Sequence, residues 1–153
     1  MKLYITIFPS IAITQVVTIE NLKPLSKYLE HLKLNRIIEL EKILKERGLS
    51  NSAYLKGSPW AIIPPIVERI RNGDLIIIDG THRVFHSRHL GRKEMQVLLI
   101  ENTDFNLPSV PLNWDKVRIK SCKVSRNERY VNFNPEYFRE LRNAFKYLYS
   151  KYN

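Results

Sequence analysis

Five consecutive residues, Asp79-Gly80-Thr81-His82-Arg83, set a carboxylate, a glycine, a hydroxyl, an imidazole and a guanidinium side by side. They follow the unbroken apolar run Leu75-Ile76-Ile77-Ile78. That run is too short for a helix and is β-branched, so it reads as a fully buried strand. A strand ending in Asp-Gly and opening onto a helix delivers a tight turn to a helix N-terminus. Backbone N–H groups left unsatisfied there, together with the helix dipole, attract an anion. Gly80 lets a ligand approach the backbone closely. Thr81 adds a hydroxyl. Arg83 in the first turn opposes the dipole, so an anion that offsets it is expected, and a phosphate suits its fork. Asp79 at the strand end has the chemistry to hold Mg²⁺ or to orient a hydroxyl. The plainer alternative is an ordinary strand-to-helix turn with Asp79 as a cap.

Other reactive side chains carry weaker signals. His82, His86 and His89 recur at i, i+4 and i+7 on one helix, yet no third ligand or His-Glu-x-x-His pattern accompanies them. The single cysteine, Cys122, forms neither an internal disulfide nor a zinc site, and a lone cysteine is most often packed. Trp60 and Trp114 sit in proline-flanked loops. Either has a face to stack on a base, and anchoring a loop is the commoner use.

The elements that must position this turn follow from periodicity. Leu3–Phe8 and Ala12–Ile19 are β-branched and aromatic and read as strands. Asn35–Arg47 reads as a helix, with Ile37, Leu40 and Leu44 on one face, Ile43 beside them, Asn35 as its cap and Gly48 closing it. Leu49–Pro65 reads as a long loop. Pro65-Ile66-Val67 fits a short strand, or Ile66–Ile70 a turn of helix. Asn72-Gly73-Asp74 marks a turn. Thr81–Leu90 reads as a helix closed by Gly91, and Met95–Ile100 as a strand. Phe105–Asn113 reads as a linker and Lys116–Val124, Cys122 included, as a strand. Asn134-Pro135-Glu136 opens a final helix with Phe138, Leu141, Phe145 and Leu148 as its seam.

The 153 residues fit one domain. The composition, 44% hydrophobic and 26% charged, is that of a folded globular protein. No apolar run reaches the ~20 residues of a membrane span, and the N-terminal apolar stretch is broken by Pro9, so a cytoplasmic location is expected. The net charge is +10, which favours anionic partners. From Trp114 onward, ten basic residues face four acidic ones, so this stretch supplies 10 − 4 = +6 of that charge. Lys120, Lys123, Arg126, Arg139, Arg142 and Lys146 are its candidate nucleic-acid contacts.

The turn resembles the signature of the ParB/sulfiredoxin superfamily, a strand ending in Asp-Gly-x-His-Arg and followed by a helix ending in Leu-Gly. Asp79, Gly80, His82, Arg83, Leu90 and Gly91 match it as they stand. Ile19-Glu20-Asn21-Leu22-Lys23-Pro24 resembles the family's opening strand with its Leu-x-Pro. Residues 35–48 resemble its first helix, and Pro65-Ile66-Val67 its Pro-Ile-x-Val strand. The resemblance spans about residues 16–101. It implies an α/β (α+β) fold, a small mixed sheet with helices, over residues 1–104. Residues 105–153 then form a basic strand–helix extension packed on the same domain.

The resemblance also implies a nucleotide phosphate held at the His-Arg turn, with ATP, ADP or CTP as the ligand, Mg²⁺ as its companion, and His82 as a phosphate contact. Thr81 stands where sulfiredoxins carry their catalytic Cys, so that chemistry is not expected. No helix-turn-helix unit follows, which sets the chain apart from full partition proteins. The free-serine kinase branch places an acidic residue soon after Leu-x-Pro, and Glu30 occupies that position. By that resemblance Glu30 is the base and Asp79 a catalytic and metal residue of a phosphotransferase acting on a small hydroxylated molecule such as free serine. Otherwise Glu30 is a solvated surface carboxylate. Two rivals stand beside the kinase: a nucleic-acid-binding module or nuclease using the basic C-terminal region, and a nucleotide-binding switch with weak hydrolysis.

Overall fold

The computed structural model describes residues 12–48, 53–54, 61–62 and 64–139. The order of elements is β1 (Ala12–Thr18), β2 (Leu22–Lys23), β3 (Tyr28–Glu30), α1 (His31–Glu46), β4 (Ala53–Tyr54), β5 (Ala61–Ile62), β6 (Ile66–Ile70), β7 (Leu75–Asp79), α2 (Thr81–His89), β8 (Glu94–Thr103), β9 (Arg118–Lys120) and the one-turn α3 (Arg126–Arg129). Five strands form a mixed sheet in the order β1-β8-β6-β7-β2, so the fold is α+β with a small mixed sheet. β1–β8 and β6–β7 pair antiparallel, whereas β6–β8 and β2–β7 pair parallel. β3 and β9 form a separate parallel pair, and β4 and β5 an antiparallel one.

β7 lies inside the sheet between β6 and β2, which explains its unbroken apolar run. Val67, Ile77, Val97 and Leu99 join Val84 of α2 in the core, together with Val17, Ile19 and Leu22. Residues of the opposite parity, Ile66, Ile76 and Ile100, are buried as well. Glu68 shares that second face, is fully buried, and meets Arg139 of the C-terminal segment. The sheet is therefore covered on both sides. Ile66–Ile70 is a strand rather than a turn of helix, because its two neighbours in the sheet satisfy its backbone.

α1 starts at His31, four residues before the expected Asn35. Its N-cap is Glu30, whose side chain makes no capping bond. Tertiary burial of Glu30, described below, sets this start in place of local cap chemistry. Leu34 and Leu44 are buried on the inner face, while Ile43 is exposed and falls outside the seam. Gly48 and Gly91 adopt positive φ just beyond α1 and α2, as expected.

The C-terminal half departs most from expectation. Only Arg118–Lys120 of the expected Lys116–Val124 strand pairs, because Trp114–Lys116 forms a 3₁₀ turn. Cys122 lies beyond the strand and is exposed, not packed. α3 was not expected, although Ser125-x-x-Glu128 is a capping signature and the Ser125 hydroxyl does accept from the Glu128 N–H. Asn134 caps Pro135 as expected, but the result is one 3₁₀ turn, Pro135–Tyr137, after which Phe138 is extended. Packing of Phe138 against Tyr130 and Phe133, and the pull of Glu68 on Arg139, replace the continuing helix. Leu3–Phe8, Trp60, most of the Leu49–Pro65 loop, and Leu141, Arg142, Phe145, Lys146 and Leu148 lie outside the described residues. Among the described residues no helix is long and apolar enough to cross a membrane.

Candidate functional site

β7 ends at Asp79, and Gly80 turns the chain at φ +90° directly into α2. No side chain caps α2 and its first turn holds no acidic residue, so its leading amides point outward uncompensated. Gly80 admits no other residue comfortably. A Cβ there would stand 2.9 Å from Arg83 Nη2 and 2.9 Å from Pro65 Cβ. The backbone of β6 and the Arg83 guanidinium thus close over the turn, and the glycine is what lets them do so.

Arg83 is mostly buried, and its Nη2 lies 3.7 Å from Asp79 Oδ2. Burial pulls its guanidinium below the ordinary value, and Asp79 pushes the other way. The group stays charged at any working pH. A fixed cation therefore stands beside an uncapped helix N-terminus, which is the electrostatic pattern of an oxyanion site.

His82 is built differently from the expectation. Its Nε2 accepts the backbone N–H of Glu30 at 3.1 Å. Burial first, then the nearby Lys33 and Arg129 charges, lowers its pKa to about 4. The imidazole is neutral near pH 7, with its proton on Nδ1. Toward a phosphate it can offer one N–H, not a positive charge.

Glu30 is no solvated surface carboxylate. It is 6% exposed, and it joins three parts of the chain. Its Oε1 accepts the Val124 N–H at 3.0 Å and Arg129 Nη2 at 3.2 Å, while Oε2 pairs with Lys33 Nζ at 3.0 Å. The Val124 bond chiefly, with Lys33 and Arg129, outweighs desolvation and lowers its pKa. Glu30 and the signature turn are brought together through His82. Arg129, Lys33 and Val124 were not foreseen as members of this cluster.

Asp79 is the carboxylate closest to the turn in sequence, and among the described residues no group of three His, Cys, Asp or Glu side chains could hold a metal. A Mg²⁺ at Asp79 would take one protein oxygen and draw its remaining ligands from phosphate and water, a common arrangement for this ion. His86 does not face a metal partner. Its Nε2 lies 2.8 Å from Glu41 Oε2, which Arg92 also engages. His89 is exposed and stacks on Phe85. Trp114 packs against the core beneath Arg88.

Of the basic candidates, Lys120, Lys123 and Arg126 are exposed. Lys120 Nζ sits 4.5 Å from the Tyr28 ring centroid, and Arg126 sits over Phe138. Arg139 is a correction. It is 5% exposed and forms a bidentate pair with Glu68, so it is withdrawn from any solvent-facing polyanion.

No family model and no curated protein matches the chain. Among solved structures it is similar to SbnI with a C-terminal truncation from Staphylococcus aureus, at 19% identity and a TM-score of 0.39, over 60% of this chain and 31% of that one. It is similar to a pNOB8-like ParB N-domain at 25% identity and a TM-score of 0.36, over 60% of this chain and 31% of that one. A conserved hypothetical protein from Pyrococcus furiosus gives 21% identity and a TM-score of 0.36, over 57% and 32%. The chain spans about a third of the length of each of these.

Proposed function

We propose that this chain is a ParB-like module that binds a phosphate-bearing ligand, a nucleotide, at Gly80-Thr81-His82-Arg83. One observation carries the reading: α2 begins uncapped on a glycine at φ +90° with the Arg83 guanidinium folded against that glycine. ATP, ADP and CTP are the ligands to try. Mg²⁺ would be held by Asp79 with the ligand's phosphates, where it would neutralise phosphate charge.

Phosphoryl transfer to a small hydroxylated molecule, free serine included, is a finer form of this reading and needs Glu30 as base. The three donors on the Glu30 carboxylate favour a different job, that of pinning Val124 and Arg129 to the start of α1. Because the same residue touches His82, the geometry supports a nucleotide-responsive switch better than a kinase.

The test is a thermal-shift titration with ATP, ADP, CTP and GTP, with and without Mg²⁺, on the wild type and Arg83→Ala. A selective rise in Tm, lost in the variant, is expected by linkage. No rise with any nucleotide at millimolar concentration overturns the reading.

A second reading, nucleic-acid binding, has its own observation: Lys116, Arg118, Lys120, Lys123 and Arg126 are exposed with no acidic residue among them. It predicts oligonucleotide binding that falls steeply with salt, weakens in Lys120→Ala/Lys123→Ala, and survives Arg83→Ala.

A further inference from the structure

A cleft of ≈350 Å³, counted to its open mouth, lies beside Thr81, the first residue of α2. Its floor is Leu25 with Ile77 and Ile78 of β7, and its outer wall is Tyr130 and Phe138 of the C-terminal segment. That volume is at the low end for a ligand site, enough for one ring system and too small for a whole nucleotide.

The aromatic wall is held in place before any ligand arrives. Tyr130 stacks on Phe133 at 5.2 Å and meets Phe138 edge-on at 6.2 Å. Its backbone bridges to Ser26. The neighbouring backbone is stitched to the domain by Lys27 N–H to Arg129 O at 2.7 Å and Leu112 N–H to Pro24 O at 2.8 Å. Rigid ring faces over an aliphatic floor favour a flat, apolar-faced group.

Charge narrows the occupant further. Arg139 backs the cleft, but its fork is spent on the Glu68 carboxylate and on the Asn106 and Tyr137 carbonyls. The cleft is therefore electrically quiet, which suits a neutral heterocycle better than a zwitterion or a second anion. A group anchored by phosphate on the α2 amides has Thr81 as its nearest side chain, and Thr81 lines the cleft.

We infer that this cleft seats the base of the nucleotide whose phosphates engage Gly80–Arg83, so that the C-terminal segment supplies base recognition. The inference rests on the phosphate reading above. The experiment is calorimetric titration of ATP, CTP and inorganic triphosphate into the wild type, Tyr130→Leu, Phe138→Leu and Arg83→Ala. The leucine variants are expected to weaken the preferred nucleotide roughly 10-fold or more, in line with loss of base stacking, and to leave triphosphate binding unchanged. Arg83→Ala is expected to weaken both probes. Nucleotide binding untouched by the leucine variants but lost in Arg83→Ala overturns the cleft assignment alone. Binding of neither nucleotide nor triphosphate by the wild type overturns both readings. Should a leucine variant lose its cooperative thermal transition, Ile78→Trp fills the cleft from the sheet side. It must reproduce the selective loss of nucleotide for the inference to stand.

Discussion

The backbone N–H of Glu30 donates to His82 Nε2 at 3.1 Å, across a sequence separation of 52 residues. One hydrogen bond thereby joins the start of α1 to the first turn of α2. It fixes the tautomer of His82, and the carboxylate of the same Glu30 holds Val124 and Arg129. The signature turn, the first helix and the C-terminal segment meet in two adjacent side chains.

The first prediction concerns pH. The His82 pKa falls from an ordinary 6.5 to about 4 on folding, chiefly through burial. Above pH 6.5 the imidazole is neutral in both states and contributes no pH dependence. Between pH 6.5 and about 4 the unfolded chain takes up a proton that the folded chain refuses, so stability falls as pH falls. His82→Gln keeps an acceptor for the Glu30 N–H and removes the titration. Urea denaturation of the two proteins from pH 7.5 to 4 should give a flatter profile for the variant. Parallel profiles would show that His82 is not held neutral.

The second prediction concerns Glu30. Its folded pKa lies below the ordinary 4.5, so its contribution is complete above that value and is lost as pH falls through the lower folded value. Glu30→Gln should cost about 1.5–3 kcal/mol at pH 7, the range for hydrogen bonds to a charged group. Hydrogen exchange should quicken at Val124 and through α3, whose anchor is lost. The gap to wild type should narrow below pH 4.5. A stability change within 0.5 kcal/mol, or about the scatter of ordinary surface substitutions, would return Glu30 to the role of a solvent-facing side chain.

How much of this was legible beforehand divides by sequence distance. The strand, the glycine turn and α2 are local features: an apolar run, an Asp-Gly pair and a Leu-Gly closure specify them with little help from elsewhere. The Glu30 cluster was not legible, because Val124 lies 94 residues away and no local pattern announces a long-range acceptor. Arg139 misled for a similar reason. A basic residue in a basic stretch reads as surface, and only the sheet shows that Glu68 waits beneath it. The start of α1 was misplaced because a cap was sought in Asn35, whereas tertiary burial of Glu30 sets it. Ser125-x-x-Glu128 is the counterexample, a local signal that was present and passed over.

The third prediction tests the glycine. Gly80→Ala forces a Cβ at φ +90° against Pro65 and Arg83. Backbone strain at such a position is typically about 1–3 kcal/mol, and the Pro65 contact adds to it, since a proline ring gives way little. Thermal denaturation should show a lowered Tm. Because Arg83 must move, ligand binding should fall further than the lost stability alone explains, measured at a temperature where both proteins are fully folded. Wild-type stability in Gly80→Ala would mean that the turn relaxes freely and that close approach at Gly80 is not required.

The fourth prediction separates anchoring from charge at the other end of the sheet. Glu68 is 0% exposed and its carboxylate is met by both Arg139 nitrogens at 3.1 Å. Removing one partner of a buried pair strands the other charge, so Arg139→Ala should lose roughly 3–5 kcal/mol. Replacing both with apolar residues of similar size removes the stranded charge. Glu68→Leu/Arg139→Met should therefore recover most of the loss, despite being the more drastic change on paper. Equal destabilisation in the single and double variants would show that shape, not charge pairing, holds the C-terminal segment on the sheet. In that case the aromatic cluster of Tyr130, Phe133 and Phe138 would have to be the main fastening.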